Sequence, residues 1–336
     1  MSHNWKLTIL EAACFAACGQ LSTAQIQPTA VLEIDGVNCI SYENDVTDYA
    51  KLATDPNPTA GAPSKNFSNV VSVCDLTNIN GAVVKGTVVS WNATLNARPN
   101  PTPGAMIADI TRSNIHIIAF EILQPDGTPI GSIMGEGYGG GAGIPGAPLA
   151  LTQGNNVVSG GTGAFLGVRG QWGTTVSKNL QTPLASVTED PANRRLRQGG
   201  AFHYVIHLIP GSYPAVVVGD TGPVIVHSSD YSPVTAAKPA VPGEILTMIA
   251  SGLGPTRPGV DPGKPFPASP LQPVNGPVQV LVNGVDAPVL YAGGYPNTTG
   301  WYQMNFRVPE GASSGAASLQ VLAAWIPGPS VSFAIR

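Results

Sequence analysis

The chain has 336 residues, of which 11% are charged, and its 40 glycines and 32 prolines outnumber its 16 basic and 20 acidic side chains. That length predicts about two domains, and few charges with many turn formers and β-branched residues predict all-β layers joined by tight loops. A net charge of −4 without an extended basic patch argues against nucleic acid or an anionic membrane surface as partner.

Residues 1–24 read as an export signal. Lys6 supplies a positive start, Leu7–Ala17 is mostly apolar despite Glu11, and Ser22-Thr23-Ala24 offers small residues for cleavage before Gln25. The apolar run is too short for a transmembrane segment, so a secreted protein is expected. Phe15-Ala16-Ala17-Cys18 resembles a lipobox, which gives the alternative of a lipid anchor on Cys18. Cleavage removes Cys14 and Cys18, and the remaining pair, Cys39 and Cys74, most simply forms one disulfide in an oxidising compartment. A catalytic thiol is the competing reading, and no histidine lies near either cysteine in sequence.

From 25 to about 80 the pattern is irregular. Short β-like pieces at Ala30–Ile34, Asn38–Tyr42 and Asn69–Cys74 flank a polar stretch with Pro56, Pro58 and Pro63, which reads as a surface excursion pinned by the disulfide. Val83–Asn96 alternates as a half-buried strand, with Thr87, Val89, Trp91, Ala93 and Leu95 on one face and Val88, Ser90, Asn92, Thr94 and Asn96 on the other. The Pro99–Gly104 loop ends it. In Ile115–Leu123, His116, Ile118, Phe120 and Ile122 share one face and Ile117, Ala119, Glu121 and Leu123 the other. Both faces are mainly apolar, so the outer one is expected to be covered by the second domain or by another subunit. Pro125-Asp126-Gly127 turns into Ile130–Met134, and the glycine-dense Gly135–Gly146 reads as a loop at a barrel mouth.

Gly160-Gly161-Thr162-Gly163-Ala164-Phe165-Leu166-Gly167-Val168-Arg169-Gly170 follows, a glycine-built corner between a run ending at Val157-Val158 and one restarting at Val168–Trp172. Phe165 is its apolar anchor. A phosphate-loop reading of the glycines fails, because Gly167 breaks any helix that should follow. The corner resembles the Gly-Gly-Thr-Gly-x-Phe-x-x-x-Arg-Gly signature of the dirigent and allene oxide cyclase-like barrels through Gly160, Gly161, Thr162, Gly163, Phe165, Arg169 and Gly170, with Val168 where a small residue is usual. The resemblance implies an eight-stranded antiparallel barrel with a pocket at one end, over 25–212. It implies no single activity, since that family includes an isomerase-cyclase, stereochemical guides for radical coupling and proteins without a known reaction.

Asn193-Arg194-Arg195-Leu196-Arg197 reads as a solvated basic loop. Ala201–Ile209 is the last barrel strand, with His203, Val205 and His207 on one face and Phe202, Tyr204, Ile206 and Leu208 on the other. Beyond the Pro210–Pro214 linker come seven short strands, Val224–His227, Glu244–Ala250, Val278–Val282, Ala287–Tyr291, Tyr302–Val308, Leu319–Ala324 and Ser330–Ile335, with a hairpin turn at Asn283-Gly284. That count fits an immunoglobulin-like β-sandwich over 213–336. The motifs Ala240–Leu246, Ser251–Pro255, Val280–Gly284 and Met304–Pro309 resemble a C-terminal domain of secreted bacterial proteins; the resemblance implies an extracellular sandwich used for attachment or spacing. The proline-rich run between Gly254 and Pro277 reads as a stiff loop sealing a sheet edge, in preference to a recognition ligand.

Catalytic motifs are sparse. His203 and His207 lie roughly 13 Å apart along a strand, too far for one metal ion. No Cys-x-x-Cys occurs, so no metal or cofactor is expected. Gly311-Ala312-Ser313-Ser314-Gly315 spells a nucleophile elbow but has no helix after it. The candidate pocket residues are therefore Glu121, Arg169, His203 and His207, with His116 as a weaker member; Glu121 and the histidines 203 and 207 are the acid–base candidates, and a Glu121–Arg169 ion pair is the structural alternative. Three functions compete: non-enzymatic binding of a small apolar molecule or glycan at the cell exterior, an isomerase or cyclase working in the barrel, and a homo-oligomeric surface assembly formed through the outer face of the barrel.

Overall fold

The structure is a computed structural model and describes residues 30–43, 67–95, 113–139, 155–174, 184–186, 189–196 and 199–336. The signal segment with Cys14 and Cys18, the Pro99–Gly104 loop, Gly140–Gly146 and Arg197 lie outside these residues. No helix among them is long and apolar enough to cross a membrane.

Eight strands form a closed antiparallel barrel: β1 (Ala30–Glu43), β2 (Phe67–Ile79), β3 (Lys85–Leu95), β4 (Ser113–Leu123), β5 (Pro129–Gly139), β6 (Asn155–Gly163), β7 (Arg169–Thr174) and β8 (Gly200–Ile209). Each strand pairs with its successor, and β8 returns to β1 with Leu32 opposite Ile206. Closure satisfies both edges of every strand, which an open sheet of this length would leave exposed. The irregular stretch expected at 25–80 thus contributes the first two barrel strands. The β-like pieces at Ala30–Ile34 and Asn38–Tyr42 are one strand, which reads as two because β1 bulges between Gly36 and Cys39, where Asn38 takes φ 53°, and Asn69–Cys74 lies within β2.

Inward residues are Leu32, Ile34, Val88, Ile118, Phe120, Ile122, Ile133, Val158, Ile206 and Leu208, which form one buried cluster. Cys39 and Cys74 are joined in a disulfide between β1 and β2 and are buried in that cluster. Beside it the basic run departs from the solvated loop expected: a 3-10 turn, Pro191–Arg195, brings Arg194 and Arg195 to Asp75 at 2.5 and 2.8 Å, and Arg194 is buried. Burial alone would raise the Asp75 carboxyl, but hydrogen bonds from Arg195, Asn38 and Arg194 outweigh it and hold it below its ordinary value.

The corner works as the glycines predict, with one exception. A side chain on Gly161 would meet the Phe165 and Ser132 carbonyls at 2.5 and 2.6 Å, on Gly163 the Ile130 carbonyl at 2.5 Å, and on Gly170 the His207 carbonyl at 1.9 Å. Gly160 faces open space and has no such neighbour. The strand continues through Gly163 before turning, later than Val158. Phe165 folds under the turn and is fully buried, and the Thr162 hydroxyl bonds Ser132 at 2.7 Å.

Residues 215–335 form two five-stranded sheets. One contains β9 (Ile225–His227), β10 (Ile245–Ser251), β13 (Val289–Gly294) and β14 (Trp301–Arg307); the other contains β11 (Val278–Val282), β12 (Val285–Ala287), β15 (Gly315–Ala323) and β16 (Val331–Ile335). Each has one further two-residue strand. Met248, Met304 and Phe306 from the first sheet meet Val280, Leu319 and Val321 from the second in one core. The Asn283-Gly284 hairpin has φ of 51° and 78°, both positive as a type I′ turn requires.

These sheets touch the Phe165 end of the barrel. Ala324 and Ile326 belong to the barrel's buried cluster and Trp325 packs against it. Arg257 donates to Thr128 at 2.6 Å, and the Gln124 amide reaches the Asn275 carbonyl.

Candidate functional site at the far end of the barrel

With the Phe165 end packed shut, the polar groups of the interior gather toward the opposite end. His116 on β4 stands level with Gly137 on β5, and Gly137 with Asn156 on β6. Because Gly137 has no side chain, nothing stands between His116 and Asn156, and the two hydrogen-bond. Two residues further along β5, Gly135 performs a similar service: a Cβ there would lie 2.4 Å from the Nε1 of Trp172, so the indole lies against bare backbone. Gly135, Gly137 and Gly139 are therefore strand residues, contrary to the loop expected for Gly135–Gly146. Glycine is tolerated in this strand where another side chain must cross it closely.

The aromatic rings pack as a ladder. His116 and Trp172 have ring centroids 4.9 Å apart; Phe120 lies edge-on to Tyr204 at 5.1 Å; Tyr204 also contacts Phe202 at 5.8 Å. Burial pushes the Tyr204 phenol well above its ordinary range, which leaves it neutral. Burial lowers the His116 imidazole, and the Asn156 hydrogen bond only partly offsets this. The neutral ring then has one donor and one acceptor nitrogen. Trp172 is 5% exposed, and its indole N–H has no hydrogen-bond partner among the described residues. A buried donor without an acceptor is uncommon and costs on the order of 1–3 kcal/mol.

The other sequence candidates face outward. Glu121 is exposed on the outer face of β4. His203 and His207 stand on the outer face of β8, because the barrel turns Phe202, Tyr204, Ile206 and Leu208 inward; the more apolar face takes the interior. His203 Nδ1 pairs with Asp35 at 2.7 Å, and its Nε2 is 3.8 Å from Glu33. His207 is half-buried between β1 and β7, level with Val31 and Gln171, and burial lowers its pKa. Arg169 is exposed near the Phe165 end, and the salt bridges among the described residues include none between Glu121 and Arg169. A pocket lined by Glu121, Arg169, His203 and His207 does not form; of the five candidates only His116 lines the interior. Trp172 and Asn156 were missed in the sequence. The available signal was their parity, shared with Val158 and Gly170, but parity alone does not say which face is inside.

Among the described residues no group of three or more His, Cys, Asp or Glu is arranged for a metal ion. Of the described histidines, His116 is the one on the inner face of the barrel.

Fold and site together define an all-β protein: a closed antiparallel barrel with an apolar, plugged interior and an imidazole–indole–amide cluster at its other end. Comparison with protein-family models, curated proteins and solved structures finds no match to this chain.

Proposed function

We propose that this is a non-enzymatic binding protein of the cell exterior, whose barrel takes a small, mostly apolar molecule carrying one hydrogen-bond acceptor. The observation behind this reading is the buried Trp172 N–H, which has no acceptor among the described residues. Around it the inner face carries rings and aliphatic side chains together with Ser90, Asn92 and Asn156. An apolar guest with a carbonyl or ether oxygen would satisfy it and stack on Trp172 and His116. The isomerase or cyclase reading loses its acid–base pair, because Glu121, His203 and His207 are outside. The disulfide and the export-type segment at 1–24 support an extracellular location, and the corner motif with barrel closure supports kinship with dirigent-like barrels. The two C-terminal sheets support the attachment role implied by the secreted bacterial domain.

The test compares 2-acetylnaphthalene with 2-ethylnaphthalene, which lacks the oxygen, by fluorescence titration. The ketone should bind about tenfold or more tightly, as one hydrogen bond to an otherwise unpaired donor allows. The preference should vanish in Trp172→Phe. Equal affinities, or a preference that survives the substitution, would defeat the reading.

One observation favours a second role. On the outer wall Val71, Trp91 and Ile117 stand level across β2, β3 and β4, with Val89 and Met134 a step away, all more than a third exposed; exposed Glu136 separates Ile117 from Val157 in the same row. The second unit does not cover this wall, contrary to one of the two expectations for it. An apolar patch on a sheet face, here spanning β2 to β4 and bounded by Glu136, is suited to subunit contact, the homo-oligomer of the third hypothesis. Light scattering that gives a monomer mass at all concentrations would count against it.

A further inference from the structure

A cleft of about 530 Å³ opens in the C-terminal unit between β9 and the last strand, β16. Its floor is core: Ile225, Phe333 and Ile335. One wall is the free edge of β16. That strand pairs with β15 on one side only. On its other side Ala240 donates to the Ala334 carbonyl and accepts from the Arg336 N–H, each at 2.9 Å, as an isolated bridge. Backbone groups of a strand switch sides residue by residue. The Ser332 N–H and C=O and the Ala334 N–H therefore point the same way as the Ala334 carbonyl, toward the cleft, and no hydrogen bond within the described residues engages them. Facing them are Pro223, Pro233 and Pro239, which have no N–H to offer.

We infer that this cleft is a binding site for an extended, uncharged peptide segment, which adds as a strand to the open edge of β16 and sets alternate small apolar side chains on the Ile225–Phe333 floor. A row of donors and acceptors repeating every two residues, about 7 Å, matches another backbone and no compact small molecule. No Asp, Glu, Lys or Arg lines the cleft, so a charged side chain entering it would lose water without gaining a partner. This site is separate from the barrel interior, and its fate does not depend on what the barrel binds.

The probe is a fluorescent nonapeptide with the sequence of β15, Gly315–Ala323, a segment β16 already accepts on its other edge. Peptide binding should slow hydrogen exchange at the Ser332 and Ala334 amides. Affinity should fall at least about tenfold in Ser332→Pro, which deletes one edge donor, and persist in Ser332→Thr. Should Ser332→Pro fail to fold, Val234→Lys charges the opposite wall without touching β16 and should weaken binding similarly. The proposal is overturned by no binding at about 1 mM peptide, the weak end of specific association. It is equally overturned by undiminished binding to a correctly folded Ser332→Pro or Val234→Lys variant, or by protection confined to other strands. Concentration-dependent protection of Ser332 without peptide would assign the edge to a second copy of the chain and also overturn it.

Discussion

His116 and Trp172 pack against each other with ring centroids 4.9 Å apart but differ in what pH does to them. The imidazole is held below its ordinary 6.5 by burial, so the unfolded chain takes up a proton before the folded one does. Its contribution to stability is complete above about pH 6.5 and is lost as pH falls from there through the folded-state value. His116→Gln keeps a hydrogen-bonding side chain but does not titrate, so its Tm should decline less steeply below about pH 6.5 than that of the wild type. The residual slope belongs partly to His207, which burial shifts in the same direction. The corner glycines divide just as clearly. Gly170 has φ 148° and would drive a Cβ to 1.9 Å from the His207 carbonyl, so Gly170→Ala must open the β7–β8 ladder. A loss of about 3 kcal/mol or more is expected in denaturant unfolding. Gly160→Ala meets nothing within 4 Å and should stay within about 0.5 kcal/mol of wild type.

At the level of elements, the first two strands are tied twice, in adjacent positions and by different means. The Cys39–Cys74 link closes a loop with a sequence separation of 35, and the chain-entropy argument assigns it roughly 3–4 kcal/mol. The neighbouring Asp75 is gripped by Arg194 and Arg195 from more than a hundred residues away. Replacing both cysteines by alanine should lower the unfolding free energy obtained from urea titration by that amount, and adding reductant to the double variant should change nothing further. A wild-type midpoint indifferent to reductant under denaturing conditions would contradict the assignment. The 3-10 turn should outlast the loss of the disulfide, since its anchors are ionic and local to Asp75. The sequence showed the cysteines but not the clamp, because Asp75 meets its arginines only when β1 and β2 lie beside the returning chain.

Across the whole molecule, the two units are joined through the Phe165 end of the barrel. Ala324 and Trp325 take φ of 47° and 63°, values costly for residues with a side chain, in the turn that delivers Ile326 to the barrel's buried cluster. Strain of this kind persists only where the surroundings hold it. Ile326 is 3% exposed, so Ile326→Ala should cost about 2–4 kcal/mol. Calorimetry should then resolve two unfolding transitions where the wild type shows one. A single transition in the variant would mean that the units are not coupled through this contact.

By itself the sequence determined the all-β class, the position of the corner, the disulfide pair and the C-terminal strands to within a few residues. Each of these rests on local chemistry: turn residues, two-residue periodicity and the count of thiols. The tertiary structure alone decided which face of each strand looks inward. Periodicity sorts Ile115–Leu123 and Ala201–Ile209 into two faces but gives both faces of the first an apolar character. Closure of the barrel then turned Phe120 and Tyr204 inward and left Glu121, His203 and His207 outside. It also made Gly135 and Gly137, which read as loop residues, into the gaps that Trp172 and the His116–Asn156 pair fill. A side chain's neighbours across a sheet are set by long-range register, and register is a property of the closed barrel that no single segment carries.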